Sequence, residues 1–296
     1  MTRLSPAHLG ALLTALSMLM FAVMDSMSKL LVQDYPVSEA LGVRYTIYAL
    51  FALAMAARGG GIVRLARSAR PWMQAARSLL ALVEGATYVI AFNYLPLADT
   101  HAVGAASPLM VVAMSAPLLG ERIGLHRWLS VLAAFAGVLL IVRPGFADLS
   151  WPLFLPLLGA FLWALYQIMT RFLARDDRPE TTLLWSAFVG LAAIACIAPW
   201  EFRWPDATGW LLLGAVGLLG SLAHYALIKA LDYAEASAVQ PYGYTLLVFA
   251  ALMGWLVFGD IPGFWTILGA CIVVLSGLYT WALDRGQSCA SPDRRC

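Results

Sequence analysis

The residues that could do chemistry in this chain are few, and they recur at helical spacing inside long apolar stretches. Arg77, Ala81, Glu84, Tyr88 and Phe92 follow one another in steps of three and four, which places them along one face of a helix. Arg77 and Glu84 are separated by about 10 Å along such a helix, too far for a direct ion pair within it. Each therefore needs a partner elsewhere. Glu84 falls near the middle of its stretch and is the hardest of these residues to explain as scaffolding. An ionisable group at that depth must face protein or water rather than hydrocarbon.

Other stretches carry matching groups. Thr14, Ser17, Phe21, Asp25 and Ser28 share a face, with Lys29 beside them. Asp25 and Lys29 are one turn apart and can neutralise each other, or Lys29 can snorkel to the outer surface. Arg44, at a comparable depth in the second stretch, offers Asp25 a second partner, as a structural staple or an outer gate. Trp163, Tyr166, Gln167 and Thr170 line one face of the sixth stretch. Aromatic residues usually collect at the membrane interfaces, so their central position predicts a cavity wall that stacks on a ring or holds an ammonium.

The fourth stretch supplies His101, Gly104, Pro108 and Ser115, and the ninth Ser237, Gln240, Pro241 and Tyr244. Proline inside a helix frees a carbonyl one turn back, so Pro108 and Pro241 predict helix breaks, although they do not align residue for residue. Ser221, His224 and Tyr225 lie behind a small-residue face of Gly214, Gly217 and Gly220. Substrate contacts are expected from Arg77, Glu84, Tyr88, His101, Trp163, Tyr166, Gln167, His224 and Tyr244. Ion pairing or gating is expected from Asp25, Lys29 and Arg44. For each histidine, plain packing in an apolar helix is the competing reading.

The elements that must position these groups are legible from hydropathy. With 61% hydrophobic and 12% charged residues and a mean hydropathy of +0.78, the chain divides into ten apolar stretches. They cover about 8–32, 37–57, 72–93, 97–118, 124–142, 152–173, 180–200, 208–229, 234–258 and 263–284. About twenty apolar residues span a bilayer as a helix, so the expected fold is an all-α integral membrane protein. The first stretch is too long for a signal-peptide core and is kept as a helix. Trp151, Trp200, Trp204, Trp210 and Trp265 fall at stretch ends and read as interface anchors. With a cytoplasmic N-terminus, thirteen of the nineteen Lys and Arg residues fall on inside segments, against Arg143 and Arg203 outside. This bias places both termini in the cytoplasm, and the same rule explains the basic segment Arg58–Arg70 better than a nucleic-acid or lipid patch does.

The chain also carries a faint internal copy. Tyr94–Val103 lines up with Ala230–Val239, with Asp99 facing Glu235, and Leu119-Gly120-Glu121 resembles Phe258-Gly259-Asp260. Five stretches in each half would set the second copy upside down relative to the first, the arrangement of carriers that alternate access around a central site.

A family resemblance rests on Met20-Phe21-Ala22-Val23-Met24-Asp25, Arg44, Ala76-Arg77-Ser78-Leu79-Leu80 and Asn93-Tyr94-Leu95-Pro96-Leu97-Ala98-Asp99. Pro108-Leu109, Leu118-Leu119-Gly120-Glu121-Arg122 and Val142-Arg143-Pro144-Gly145 complete it. Together these resemble the EamA-type branch of the drug/metabolite transporter superfamily over about residues 8–284. The second half departs from the pattern where Phe258-Gly259-Asp260-Ile261-Pro262 replaces the usual Leu-Gly-Glu. The resemblance implies ten transmembrane helices in two inverted five-helix repeats, 8–145 and 150–284, around a central cavity, with 285–296 a short cytoplasmic tail. It implies a bacterial inner-membrane location and export of a small amphipathic or zwitterionic metabolite, such as an amino acid or an opine-type metallophore. Uptake of riboflavin or S-adenosylmethionine is the alternative.

Other classes are excluded or weakened by the residues themselves. No Gly-x-x-x-x-Gly-Lys-Ser/Thr loop is present, so the expected driving force is a substrate gradient or protons carried by Glu84, Asp25 or the histidines. Cys196, Cys271, Cys289 and Cys296 show no metal-ligand spacing with the histidines, and no metal, cofactor or nucleic acid is expected. An enzyme would need a cluster such as Arg175-Asp176-Asp177-Arg178 to act at the membrane surface, and a solvated, self-neutralising turn explains that run better.

Overall fold

The computed structural model describes residues 5–58, 61–121, 124–142, 151–200, 202–259, 263–265, 267–272, 274–276 and 278–279. Arg3, Arg122, the Arg143-Pro144-Gly145 motif, Asp260-Ile261-Pro262 and the tail 285–296 lie outside them. Among the described residues the fold is all helical. In order the helices are α1 Pro6–Leu31, α2 Val37–Arg58, α3 Ile62–Ala66, α4 Pro71–Ala91, α5 Leu97–Gly104, α6 Ser107–Leu119 and α7 Leu125–Val142. They continue as α8 Phe154–Leu173, α9 Pro179–Ile194, α10 Ala207–Tyr233, α11 Ala236–Gly243 and α12 Thr245–Phe258, with a shorter apolar helix α13 at Ile267–Ser276.

Local chemistry sets many of the ends. The Ser5 hydroxyl accepts from the His8 amide ahead of Pro6, and Asp206 accepts from the Gly209 amide at 2.6 Å, so two orphan amides are satisfied at the starts of α1 and α10. Gly120 and Gly259 close α6 and α12 in the left-handed region, at φ 70° and 71°, where a Cβ would be strained.

Among the described residues six helical runs are long and apolar enough to cross a bilayer, at Pro6–Leu31, Val37–Ala57, Leu97–Leu119, Phe154–Leu173, Ala207–Tyr233 and Ala236–Phe258. The exterior carries large apolar side chains such as Leu12, Leu50, Leu79, Val83 and Leu211, while Ser17, Gln74, Arg77, Thr170, Ser186 and Ser237 are buried. A chain that exposes its leucines and buries its arginine is sorted for lipid outside and polar contacts within. It is a multi-pass membrane protein.

Two of those runs are broken. Ala105 and Ala106 separate α5 from α6, and Tyr244 separates α11 from α12. Pro108 sits in the first turn of α6, where its missing N–H takes nothing from the helix. Pro241 lies inside α11, one turn ahead of the break. Helix starts Leu97 and Ala236 correspond in the same register as the glycine caps Gly120 and Gly259. That register sets His101 opposite Gln240, three residues displaced from the sequence match that faced His101 with Ser237.

Packing partners come in exchanged sets. Helix α1 packs on α10 and α8 on α4; α1 packs on α12 and α8 on α6; α2 packs on α9, α5 on α12 and α6 on α11. Glycines allow the closest approaches. In α10 a Cβ at Gly217 would meet Ile47 and one at Gly220 would meet Met24 and Arg44, whereas Gly214 has open space around it.

Candidate functional site

The two breaks and the centres of α1, α4, α8 and α10 surround one cavity. Helix α1 lines it with Thr14, Met18, Phe21, Met24 and Asp25, α4 with Glu84 and Tyr88, and α8 with Trp163 and Gln167. Steps of three and four keep each set on one helical face. His101, Gly104, Ser107 and Pro108 come from the first break, Gln240, Gly243 and Tyr244 from the second, His224 from α10 and Arg44 from α2.

Charge inside the cavity is unevenly satisfied. Asp25 Oδ2 lies 3.2 Å from His101 Nε2, within ion-pair range but off the line of a good hydrogen bond. Asp25 thus meets His101 rather than the alternatives the sequence offered. Arg44 Cζ sits 6.0 Å from the Tyr45 ring and Lys29 Nζ donates to the Leu95 carbonyl at 3.1 Å, 5.1 Å from the Phe258 ring centroid. Arg44 is only 5% exposed and threads past Gly85 and Gly220, yet its guanidinium makes no hydrogen bond among the described residues. Glu84 likewise has no hydrogen bond there, and the two approach the cavity from neighbouring helices. The two act on each other electrostatically rather than through a hydrogen bond, and polar groups left so in a buried space are expensive unless a ligand or water completes them.

The rings form a layered wall. Trp163 faces the cavity and stacks on Tyr166 (5.3 Å, 16°), and Arg77 Cζ lies 5.0 Å from the Tyr166 ring centroid. Tyr166 and Arg77 are both 0% exposed and do not line the cavity. Arg77 donates to the Thr182 carbonyl at 2.9 Å and also to the Ser186 and Thr170 hydroxyls, tying α4 to α8 and α9. Phe21 meets His224 edge-on at 4.8 Å and Trp163 at 5.6 Å. His224 Nδ1 lies 2.9 Å from the Gly220 carbonyl, which assigns the ring proton to Nδ1 and leaves Nε2 as an acceptor. Among the described residues the buried Tyr244 hydroxyl finds no hydrogen-bond partner. Gln240 Nε2 donates to Gln167 Oε1 at 3.1 Å and to the Ala236 carbonyl at 2.7 Å.

Of the sequence candidates, Glu84, Tyr88, His101, Trp163, Gln167, His224, Tyr244, Asp25, Arg44 and Pro108 reach the cavity. Arg77, Tyr166, Lys29 and Pro241 do not. Met18, Met24, Ser107 and Val239 also line it. The methionines share a face with Thr14, Phe21 and Asp25, but an unbranched apolar side chain carries no sign of a cavity in the sequence.

Tyr88 is held by close approaches. Its ring occupies space that a Cβ at Gly104 or Gly159 would enter, with 2.6 Å separating the Gly159 Cβ position from Tyr88 Cε2. Gly159→Ala is therefore expected to push the ring toward the cavity, weakening ligand binding about tenfold and lowering stability by about 1–2 kcal/mol. A binding isotherm and a thermal melt on the same preparation check both effects.

One end of the bundle is clamped. Glu121 accepts from the Ala236 and Ser237 amides at 2.9 and 3.0 Å, and Arg127 reaches Glu235 at 3.1 Å. Arg171 donates to the Leu231 carbonyl and Arg175 to that of Leu119. The run Arg175-Asp176-Asp177-Arg178 is not self-neutralised. Asp176 pairs with Arg70 at 3.0 Å, and Asp177, 8% exposed, accepts from Ser68, the Ala69 amide and Gln74. It is a latch between segments, because carboxylates near a basic loop find better partners there than in their own turn.

Comparison with known proteins adds independent findings. The sequence profile described as the EamA-like transporter family matches residues 8–143 and again residues 150–281. A riboflavin transporter of Vibrio cholerae is 31% identical over 90% of this chain and 91% of its own length. The pseudopaline exporter CntI of Pseudomonas aeruginosa is 30% identical over 90% of this chain and 94% of its own. One solved crystal structure superposes with a TM-score of 0.73 at 20% identity, covering 94% of this chain and 98% of that chain, a likeness of fold alone.

Proposed function

Because this chain belongs to the EamA-like transporter family, and is a membrane transporter rather than an enzyme, we propose that it is a secondary exporter of a small zwitterionic amino-carboxylate. Amino acids and opine-type metallophores are the substrate class. The observation that carries this reading is a guanidinium and a carboxyl group lining one cavity, neither of them hydrogen-bonded among the described residues. Arg44 presents a guanidinium for a carboxylate, Glu84 a carboxylate for an amine, and Trp163 and Tyr88 flat faces for the organic body.

The architecture proposed is ten spans in two inverted five-helix halves, within 8–145 and 150–284, in a bacterial inner membrane with both termini cytoplasmic. Two matches to one family profile, the exchanged packing sets and the corresponding helix breaks support it. Broken helices at matching places are where such carriers bind their cargo. In this orientation the Glu121 clamp lies at the cytoplasmic end, and the coupling ion is a proton.

A second reading is uptake of riboflavin, named for the Vibrio relative. The Trp163 face and the amide edge of Gln167 and Gln240 favour it, since a flat heterocycle can stack on one and hydrogen-bond to the other.

Flux into proteoliposomes separates the readings. Radiolabelled pseudopaline and amino acids are expected to show saturable transport, weakened about tenfold or more in Glu84→Gln through loss of a charge-assisted bond. Transport of riboflavin alone, insensitive to Glu84→Gln, would establish the second reading. No saturable flux of any of them would defeat both.

A further inference from the structure

We propose that the Asp25–His101 contact is a proton-binding clasp at the outer end of the cavity, and that Gln167–Gln240 is its non-titrating mate at the inner end. The proposal deepens the transporter reading and rests on it.

Each contact ties the opening helix of one half to the first segment of that half's broken helix. Asp25 of α1 meets His101 of α5 at 3.2 Å, and Gln167 of α8 meets Gln240 of α11 at 3.1 Å. The sequence around the first members corresponds. Phe21–Leu31 aligns with Trp163–Leu173, identical at Ala22/Ala164, Met27/Met169 and Leu31/Leu173, with hydroxyl facing hydroxyl at Ser28/Thr170 and cation facing cation at Lys29/Arg171. That register sets Asp25 opposite Gln167. The separate register of helix starts and glycine caps sets His101 opposite Gln240. Two alignments that share no residue thus converge on one pair of clasps. The cations one turn on behave alike as well: Lys29 donates to the Leu95 carbonyl and Arg171 to that of Leu231, each just ahead of the broken helix.

The two clasps differ in one property. An amide pair is neutral at every pH. A neutral imidazole beside a carboxylate can take up one proton, becoming imidazolium, so that the pair as a whole passes from a charge of −1 to zero. Outside water that step matters greatly, because an uncompensated carboxylate in a buried site is costly. The groups facing the clasp are Glu84 and Tyr88 from α4, Arg44 from α2, His224 from α10 and Tyr244 at the second break, with Lys29 and Asp99 on its own helices. Tyr88 stacks on His101 at 5.7 Å and 19°. His224 is committed through Nδ1 to the Gly220 carbonyl and has no carboxylate at ion-pair distance among the described residues. Glu84 is the competing proton carrier. In the proposed orientation the titrating clasp opens to the outer solution and the amide clasp to the cytoplasm. Outer pH therefore sets the load of one clasp, and the other holds without regard to it.

The full-length protein has four histidines, so carbon-13 labelling of histidine in nanodiscs resolves His101 without any substrate. Its ring signal is expected to change with pH in the wild type and to respond differently in Asp25→Asn, where the neighbouring anion is lost. A His101 signal that does not move with pH, or a pH response indifferent to Asp25→Asn, overturns the proposal whatever transport shows.

In proteoliposomes, counterflow of radiolabelled pseudopaline and of riboflavin is then followed as outer pH changes. The wild-type rate is expected to vary about fivefold or more between pH 5.5 and 8. The residual rate of Asp25→Gln/His101→Gln, which copies the inner clasp, is expected to be flat over that range. An undiminished pH profile in the double variant, or a profile flattened instead by Glu84→Gln, overturns the assignment. Failure of the wild type to carry either probe defeats the transporter reading and the coupling with it, while the His101 titration still decides whether the clasp binds a proton.

Discussion

Arg44→Gln is expected to raise the melting temperature of the protein in detergent while weakening amino-carboxylate binding about a hundredfold, or about 2.7 kcal/mol. The two effects share one cause. Arg44 is buried, points into the cavity and makes no hydrogen bond to the described protein. A desolvated guanidinium that faces Glu84 without a hydrogen bond is expected to destabilise the empty protein, so a neutral amide in its place relieves it. The same guanidinium is free to make two charge-assisted bonds to a carboxylate, a geometry that glutamine cannot copy. Paired measurements of thermal unfolding and of binding by isothermal titration check the opposed signs. A variant that loses stability and retains affinity would mean that Arg44 serves the scaffold.

Arg77→Ala is expected to behave in the opposite way, with a loss of about 3 kcal/mol or more in stability. Arg77 is fully buried and donates to the Thr182 carbonyl and to the hydroxyls of Ser186 and Thr170. Truncation removes those charge-assisted bonds and opens a cavity among α4, α8 and α9, and each effect is worth about one to several kcal/mol. The ring stack makes the damage visible from inside the cavity. Arg77 backs Tyr166, which backs Trp163, so Trp163 loses its support and its fluorescence is expected to change along with the melt. Arg77→Lys restores the charge but not the fork, and only partial recovery is expected. An Arg77→Ala protein with a wild-type melt and altered affinity would place Arg77 among the ligand contacts after all.

These two arginines show how far a sequence can be read. Both sit in apolar stretches, and each could bind a carboxylate by composition alone. Arg77 shares a stripe with Glu84, and the stripe is real, but one face of a helix runs past several neighbours along its length. At the level of Glu84 that face looks into the cavity. About 10 Å further along it looks into the seam between α8 and α9. Asp25 makes the same point from the other side. Lys29 and Arg44 were the partners within local reach, whereas His101 arrives from a helix far along the chain because α5 is broken and packs beside α1.

The sequence by itself determined that this is an all-helical, multi-pass membrane protein, where most of its helices run, and near which residues two of them break. Those properties are one-dimensional, because each follows from the hydrophobicity, capping and proline or glycine content of some twenty consecutive residues. The tertiary structure decided which buried charges meet, which face the cavity and which are held behind a ring. Such pairings depend on how helices rotate about their axes and slide past one another. That is settled by close contacts such as Gly85 and Gly220 against Arg44, and Gly104 and Gly159 against Tyr88, between residues that no local pattern connects.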